Sequence, residues 1–133
     1  DLSATHPDVV IIEWGANDSL NGTSVYDFAN NIKAIVRRIE AAGAKPIISN
    51  VTHVCCGRVG PPEDVRNAEI DEYNAALASV ASDTGAVLVD MQAAFAASPG
   101  GLPHLLDDGL HPDAEGYAVM AEQYANVITT LLY

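Results

Sequence analysis

The sequence predicts an α/β fold with parallel strands and right-handed helical crossovers. Short runs rich in β-branched apolar residues recur at Val9–Ile12, 46–51 and 86–90. Consecutive apolar residues over so short a length are the pattern of strands buried on both faces. Longer stretches with apolar residues three and four apart separate and follow these runs, so strand and helix alternate along the chain. Size sets the scale: 133 residues, 49% hydrophobic, make one domain with a real core, residues 1–133, and leave little room for two.

In chain order, residues 1–6 are a polar approach, and Pro7 favours extended backbone ahead of the first strand. Trp14 reads as core or pocket wall. Gly15-Ala16-Asn17-Asp18 then places Asn17 and Asp18 past a strand's C-terminal end, where open α/β sheets hold their ligands. Thr23 or Ser24 caps the next helix, with Asp27 near its positive end. Phe28, Ile32, Ile35, Val36 and Ile39 form its buried stripe, and Gly43 its stop. The second strand runs into a loop over 52–62 that holds His53, Cys55 and Cys56. A helix over 65–84 buries Ile70, Tyr73, Leu77, Val80 and Ala81 and ends at Gly85. After the third strand come a short helix over 92–97, a loop of Ser, Pro and Gly, an acidic turn, and a last helix over 114–131. Tyr117, Met120, Ala121, Tyr124, Val127, Ile128 and Leu131 give that helix its apolar face.

With 18 acidic against 6 basic side chains, the formal charge of −12 opposes phosphate backbones and anionic membrane surfaces, so no nucleic acid partner is expected. No apolar run approaches the length of a membrane span, and the first residues show no basic-then-apolar leader. The chain opens on Asp1 without a methionine, as a processed product or a piece of something longer would. Adjacent cysteines would close a strained ring if bonded to each other, and even with His53 they lack zinc-site spacing. Compartment stays open.

Asp108-Gly109-Leu110-His111 is the stretch that carries chemistry. Three residues of tight turn, relieved by Gly109, fold the carboxylate back to accept a proton from one imidazole nitrogen, leaving the other free as a base. The same letters also suit an ordinary acidic turn with a helix cap at Asp113. Asp107 is a longer-reach substitute for Asp108.

Gly15-Ala16-Asn17-Asp18 after a buried strand, followed far downstream by Asp108-Gly109-Leu110-His111-Pro112 at the start of the last helix, resembles the SGNH hydrolases, or GDSL lipase/esterase family. Tyr73-Asn74 and Val89-Asp90 fall between the two motifs much as in that family. The resemblance implies a flavodoxin-like three-layer α/β/α sandwich, truncated at its N-terminus. It also implies ester or acylated-sugar hydrolysis by a serine mechanism, with no metal and no cofactor. Carried over by residue, it makes His111 the base and then the acid, Asp108 its orienting partner, Asn17 the oxyanion donor, and Gly15 the residue shaping that loop. The family's Gly-Asp-Ser nucleophile block and its second oxyanion glycine have no counterpart in these 133 residues.

Ser19 is a poor replacement, because one short turn does not put Asn17 and Ser19 on opposite sides of a reacting carbon. Cys55 or Cys56 as a thiolate nucleophile stands against the commoner outcome of inert thiols. Asp18 reads as a loop anchor, Asp90 as a cap, and His6 and His104 as solvent-exposed. Without the family's first strand, Val9–Ile12 becomes a sheet edge that calls for a strand from a second copy or a partner segment. The rival reading is a catalytically inactive α/β domain used in binding or assembly.

Overall fold

The computed structural model describes residues 2–57 and 60–132. The elements run α1 (Leu2–Thr5), β1 (Val9–Ile12), α2 (Ala16–Leu20), α3 (Val25–Ala41), β2 (Lys45–Ser49), α4 (Glu63–Thr84), β3 (Val87–Val89), α5 (Met91–Ala97), α6 (Leu102–Leu105) and α7 (Ala114–Leu132). The chain divides into two compact units, Asp1–Val51 with Glu72–Leu88, and Thr52–Asp71 with Val89–Tyr133.

In the first unit the sheet order is β1-β2-β3. β1 and β2 run parallel, with Val9 opposite Lys45 and Ile12 opposite Ile48. Pro46 to Ser49 of β2 are all buried, as a central strand requires. β1 corrects the expectation of burial on both faces: Val9 and Val10 are half-buried, Ile11 is exposed, and only Ile12 is fully buried. Among the described residues it is an edge strand, with a neighbour on one side only.

Helix α3 forms where its spacing predicts. Ser24 caps it by accepting the Asp27 N–H at 3.0 Å, and its hydroxyl donates to the Asp27 carboxylate at 2.7 Å. Phe28, Ile32, Val36 and Ile39 are buried against Ile12, Ile48 and the α4 face of Tyr73, Leu77, Val80 and Ala81. The Phe28 and Tyr73 rings pack tilted at 4.9 Å, and the Tyr73 hydroxyl donates to the Thr23 carbonyl. Ile35 is only half-buried at the margin of the stripe.

The second strand is shorter than the 46–51 run suggests. Asn74 replaces the ladder at Val51, accepting its N–H and donating to its carbonyl, both at 2.8 Å. The third strand likewise stops at Val89, because the Asp90 carboxylate caps α5 by accepting the Ala93 N–H at 3.0 Å. Two short helices, α1 and α6, stand where the sequence predicts an extended approach and a loop. Each is a single turn held by local backbone bonds, too short to leave a periodic signal.

In the second unit α5, α6 and α7 pack together. Here the predicted face of α7 needs correcting. Tyr117 and Ala121 are exposed, Tyr124, Val127, Ile128 and Leu131 are half-buried, and the fully buried residues are Gly116 and Met120. A Cβ on Gly116 would lie 2.5 Å from the Leu105 carbonyl oxygen. The helix therefore approaches backbone-to-backbone along its glycine, which turns Tyr117 outward.

Candidate active site

The loop between α6 and α7 is fastened at several points. Leu106 and Pro112 form an antiparallel bridge, and the Asp113 N–H donates to the Leu105 carbonyl at 2.9 Å. The Gly109 carbonyl accepts the Cys55 N–H at 3.0 Å, and Gly109 takes φ of 81°, a conformation that favours glycine. Asp113 caps α7 by accepting the N–H groups of Glu115 and Gly116, both at 2.8 Å.

On this frame the Asp108 carboxylate accepts three hydrogen bonds. One Oδ takes the Leu110 and His111 N–H groups at 2.9 and 2.7 Å, and the other meets His111 Nδ1 at 2.7 Å. An ionised carboxylate only accepts, so the proton of the neutral ring sits on Nδ1 and Nε2 keeps its lone pair. The His111 side chain is 73% exposed, so that lone pair is open to a reacting molecule.

The His111 imidazole, then the two backbone N–H groups, hold the Asp108 carboxyl well below the usual carboxylate range. The sign follows. A depressed folded value means the pairing is fully present above the unfolded aspartate value near ~3.9 and is lost only as pH falls through the lower folded value. The Asp108 carboxyl carbon, followed by NMR, is expected to titrate well below about 3.9. A midpoint at an ordinary aspartate value would break the pairing.

Gly15 and Asn17 belong to the first unit. Gly15 precedes α2 with φ of 136°, and a Cβ there would meet Val51 Cγ2 at 2.9 Å and the Phe28 ring at 3.3 Å, so only glycine fits. Asn17 is exposed in the first turn of α2, a short helix where the sequence reads as a loop. The Asp18 carbonyl accepts the Thr23 N–H at 3.0 Å. The Ser19 hydroxyl is turned back to the Ala16 carbonyl at 3.0 Å. Trp14 is 56% exposed and walls a cavity of about 400 Å³ with Asp18, Phe28, Asn31, Ile35 and Arg38.

In the second unit Cys55 is buried and Cys56 exposed, both as thiols. His104, on α6, is exposed and pairs with Glu115 at 3.1 Å. Among the described residues no group of three or more His, Cys, Asp or Glu side chains is placed to hold a metal ion, and no helix is long and apolar enough to cross a membrane.

A third carboxylate–imidazole contact was not legible in the sequence. His53 Nε2 lies 2.7 Å from the Asp71 carboxylate, and the Gln92 amide nitrogen lies 3.0 Å from the same oxygen and 2.6 Å from the ring nitrogen. His53, then Gln92, lower the Asp71 carboxyl from its ordinary value.

The chain thus combines a parallel sheet with an Asp-His pair on the loop before its last helix. The model of the GDSL-like lipase/acylhydrolase family matches residues 1–119. The chain belongs to that family.

Solved structures give the same fold. The lipase/acylhydrolase from Enterococcus faecalis is 25% identical, with a TM-score of 0.83 over 99% of this chain and 66% of that one. A GDSL-like lipase from Bacteroides thetaiotaomicron is 23% identical, with a TM-score of 0.82 over 99% and 67%. A catalytic mutant of an acetylxylan esterase from Geobacillus stearothermophilus is 21% identical, with a TM-score of 0.76 over 95% and 61%. This chain thus spans less than two thirds of that esterase. No curated protein matches the chain.

Proposed function

We propose that this chain carries the acid–base apparatus of an ester hydrolase acting on small esters or acylated sugars. The observation that carries the reading is the 2.7 Å contact between His111 Nδ1 and the Asp108 carboxylate on a loop fastened at both ends. Family membership and the acetylxylan esterase likeness support the substrate class.

In this reading His111 Nε2 takes the proton from the attacking oxygen and later delivers it to the departing alcohol. Asp108 keeps the ring in the productive tautomer and stabilises the imidazolium. The Asn17 side-chain amide donates to the oxyanion, and Gly15 shapes the turn that presents it. Such a donor is commonly worth on the order of 3 kcal/mol. Ser19 has no part in this reading, and its hydroxyl donates to the Ala16 carbonyl at 3.0 Å. Neither thiol takes part, and the serine that attacks is not among these 133 residues. By itself the chain therefore activates water.

The test pairs two measurements on this chain. Hydrolysis of p-nitrophenyl acetate is expected above the buffer rate, and a serine-directed fluorophosphonate is expected to label nothing. A phosphonylated serine found by peptide mapping would overturn the division of roles. Hydrolysis no faster than buffer would leave the chain a non-catalytic binding or assembly domain.

A further inference from the structure

The first unit leaves one side of its sheet open, because β1 has β2 as its single neighbour among the described residues. An apolar strand in that position offers a row of backbone donors and acceptors to another chain. We propose that this edge takes up one further strand from another polypeptide, apolar through its middle and carrying lysine or arginine at both ends.

The backbone sets which groups are offered. The Asp8 carbonyl accepts the Lys45 N–H at 2.8 Å, so Asp8 bonds toward β2. Residues alternate sides along a strand, so Val10 and Ile12 also bond toward β2, while Val9 and Ile11 present their N–H and C=O groups to the open side. An added strand takes its main-chain hydrogen bonds from these two residues.

The flanking surfaces select apolar side chains. Ile11 is 38% exposed, and Trp14, two residues beyond the strand, walls the cavity of about 400 Å³ with Phe28, Ile32 and Ile35. Phe28 and Ile32 belong to the same core cluster as Ile12, which places this cavity on the Ile12 face of β1. Side chains alternate across a strand, so one half of an added strand points toward this cavity and the other half lies beside Ile11.

Charge decides the partner. Asp8 and Glu13 bracket the strand, Asp18 stands at the cavity, and Arg38 is the single cation in its lining. A second copy of this chain is a poor occupant: antiparallel pairing brings Asp8 near the Glu13 carboxylate of the other copy, and parallel pairing brings like ends together. Each copy also carries a formal charge of −12. A strand with a cation at each end meets the two carboxylates in either direction. The edge lies in the first unit and uses neither Asp108 nor His111, so its fate is independent of the ester assays.

The test titrates acetyl-Lys-Val-Ile-Val-Ile-Lys-amide into the isotope-labelled chain and follows it by NMR. Saturable shifts of the Val9, Ile11 and Trp14 signals are expected, with hydrogen exchange of the Val9 and Ile11 amides slowed at least about tenfold. Two control peptides, one with glutamate at both ends and one N-methylated at its four central residues, are each expected to bind at least about tenfold more weakly. Val9→Pro removes an outward donor at a position where an edge strand admits proline, and a matching loss is expected while the remaining amide spectrum shows a folded chain. Asp8→Lys is expected to narrow the gap between the lysine-ended and glutamate-ended peptides. Absence of saturable shifts, equal binding of either control peptide, or light scattering that shows the chain closing this edge with a second copy would overturn the proposal.

Discussion

His111→Ala is expected to bring p-nitrophenyl acetate hydrolysis down to the buffer rate, a loss on the order of 10²–10⁴-fold, the usual worth of a positioned general base. The ring is the single group on the loop able to take a proton and return it near neutral pH. Its neighbour Asp108 is held in its ionised form by three hydrogen bonds, so it is a weaker base than an ordinary carboxylate. The side chain is largely exposed and fills no core, so the melting temperature is expected to stay near that of the parent. His104→Ala is the matched control, because His104 is an exposed histidine whose partner is Glu115 on α7. Hydrolysis unchanged in H111A would remove the enzymatic reading.

Gly116→Ala is expected to destabilise the fold by about 2 kcal/mol, a balance of two opposing effects. Alanine is the better helix former by up to about 1 kcal/mol. Against it, the new Cβ would stand 2.5 Å from the Leu105 carbonyl oxygen, 3.0 Å from Pro112 Cβ and 3.4 Å from the Phe95 ring. Such overpacking costs about 1–3 kcal/mol, and the nearest atom is backbone, so the upper end applies. Leu105 O also accepts the Asp113 N–H, and Asp113 caps α7, so the strain falls on the segment that sets His111. Urea unfolding measures the effect. Stability equal to or above the parent would mean that α7 does not approach Leu105 along this glycine.

Much of the architecture can be read without coordinates. The α3 stripe, its Ser24 cap, the apolar run of β2 and the α4 stripe each express one regular period, and burial follows it. Where the reading fails, a different force decides. Tyr117 looks like core by spacing, yet the close approach at Gly116 turns α7 so that it faces solvent. Ile11 looks like the interior of a sheet, but burial of a strand's second face depends on what lies beside and above it, which its own letters do not record. Val51 looks like strand and is taken by Asn74.

The Asp108 and His111 contact was set by the chain's own letters, because three residues of turn leave the carboxylate few places to go other than the ring and backbone that follow. The same holds for the alternation of strand and helix, since hydrogen bonding and side-chain period act over a few residues. Tertiary structure alone brought His53 to Asp71 and Gln92, which stand 18 and 39 residues away along the chain. It also chose glycine over tyrosine as the inner face of α7. Contacts of that kind are decided by how closely separate backbones approach, a quantity that emerges only when the whole core is packed.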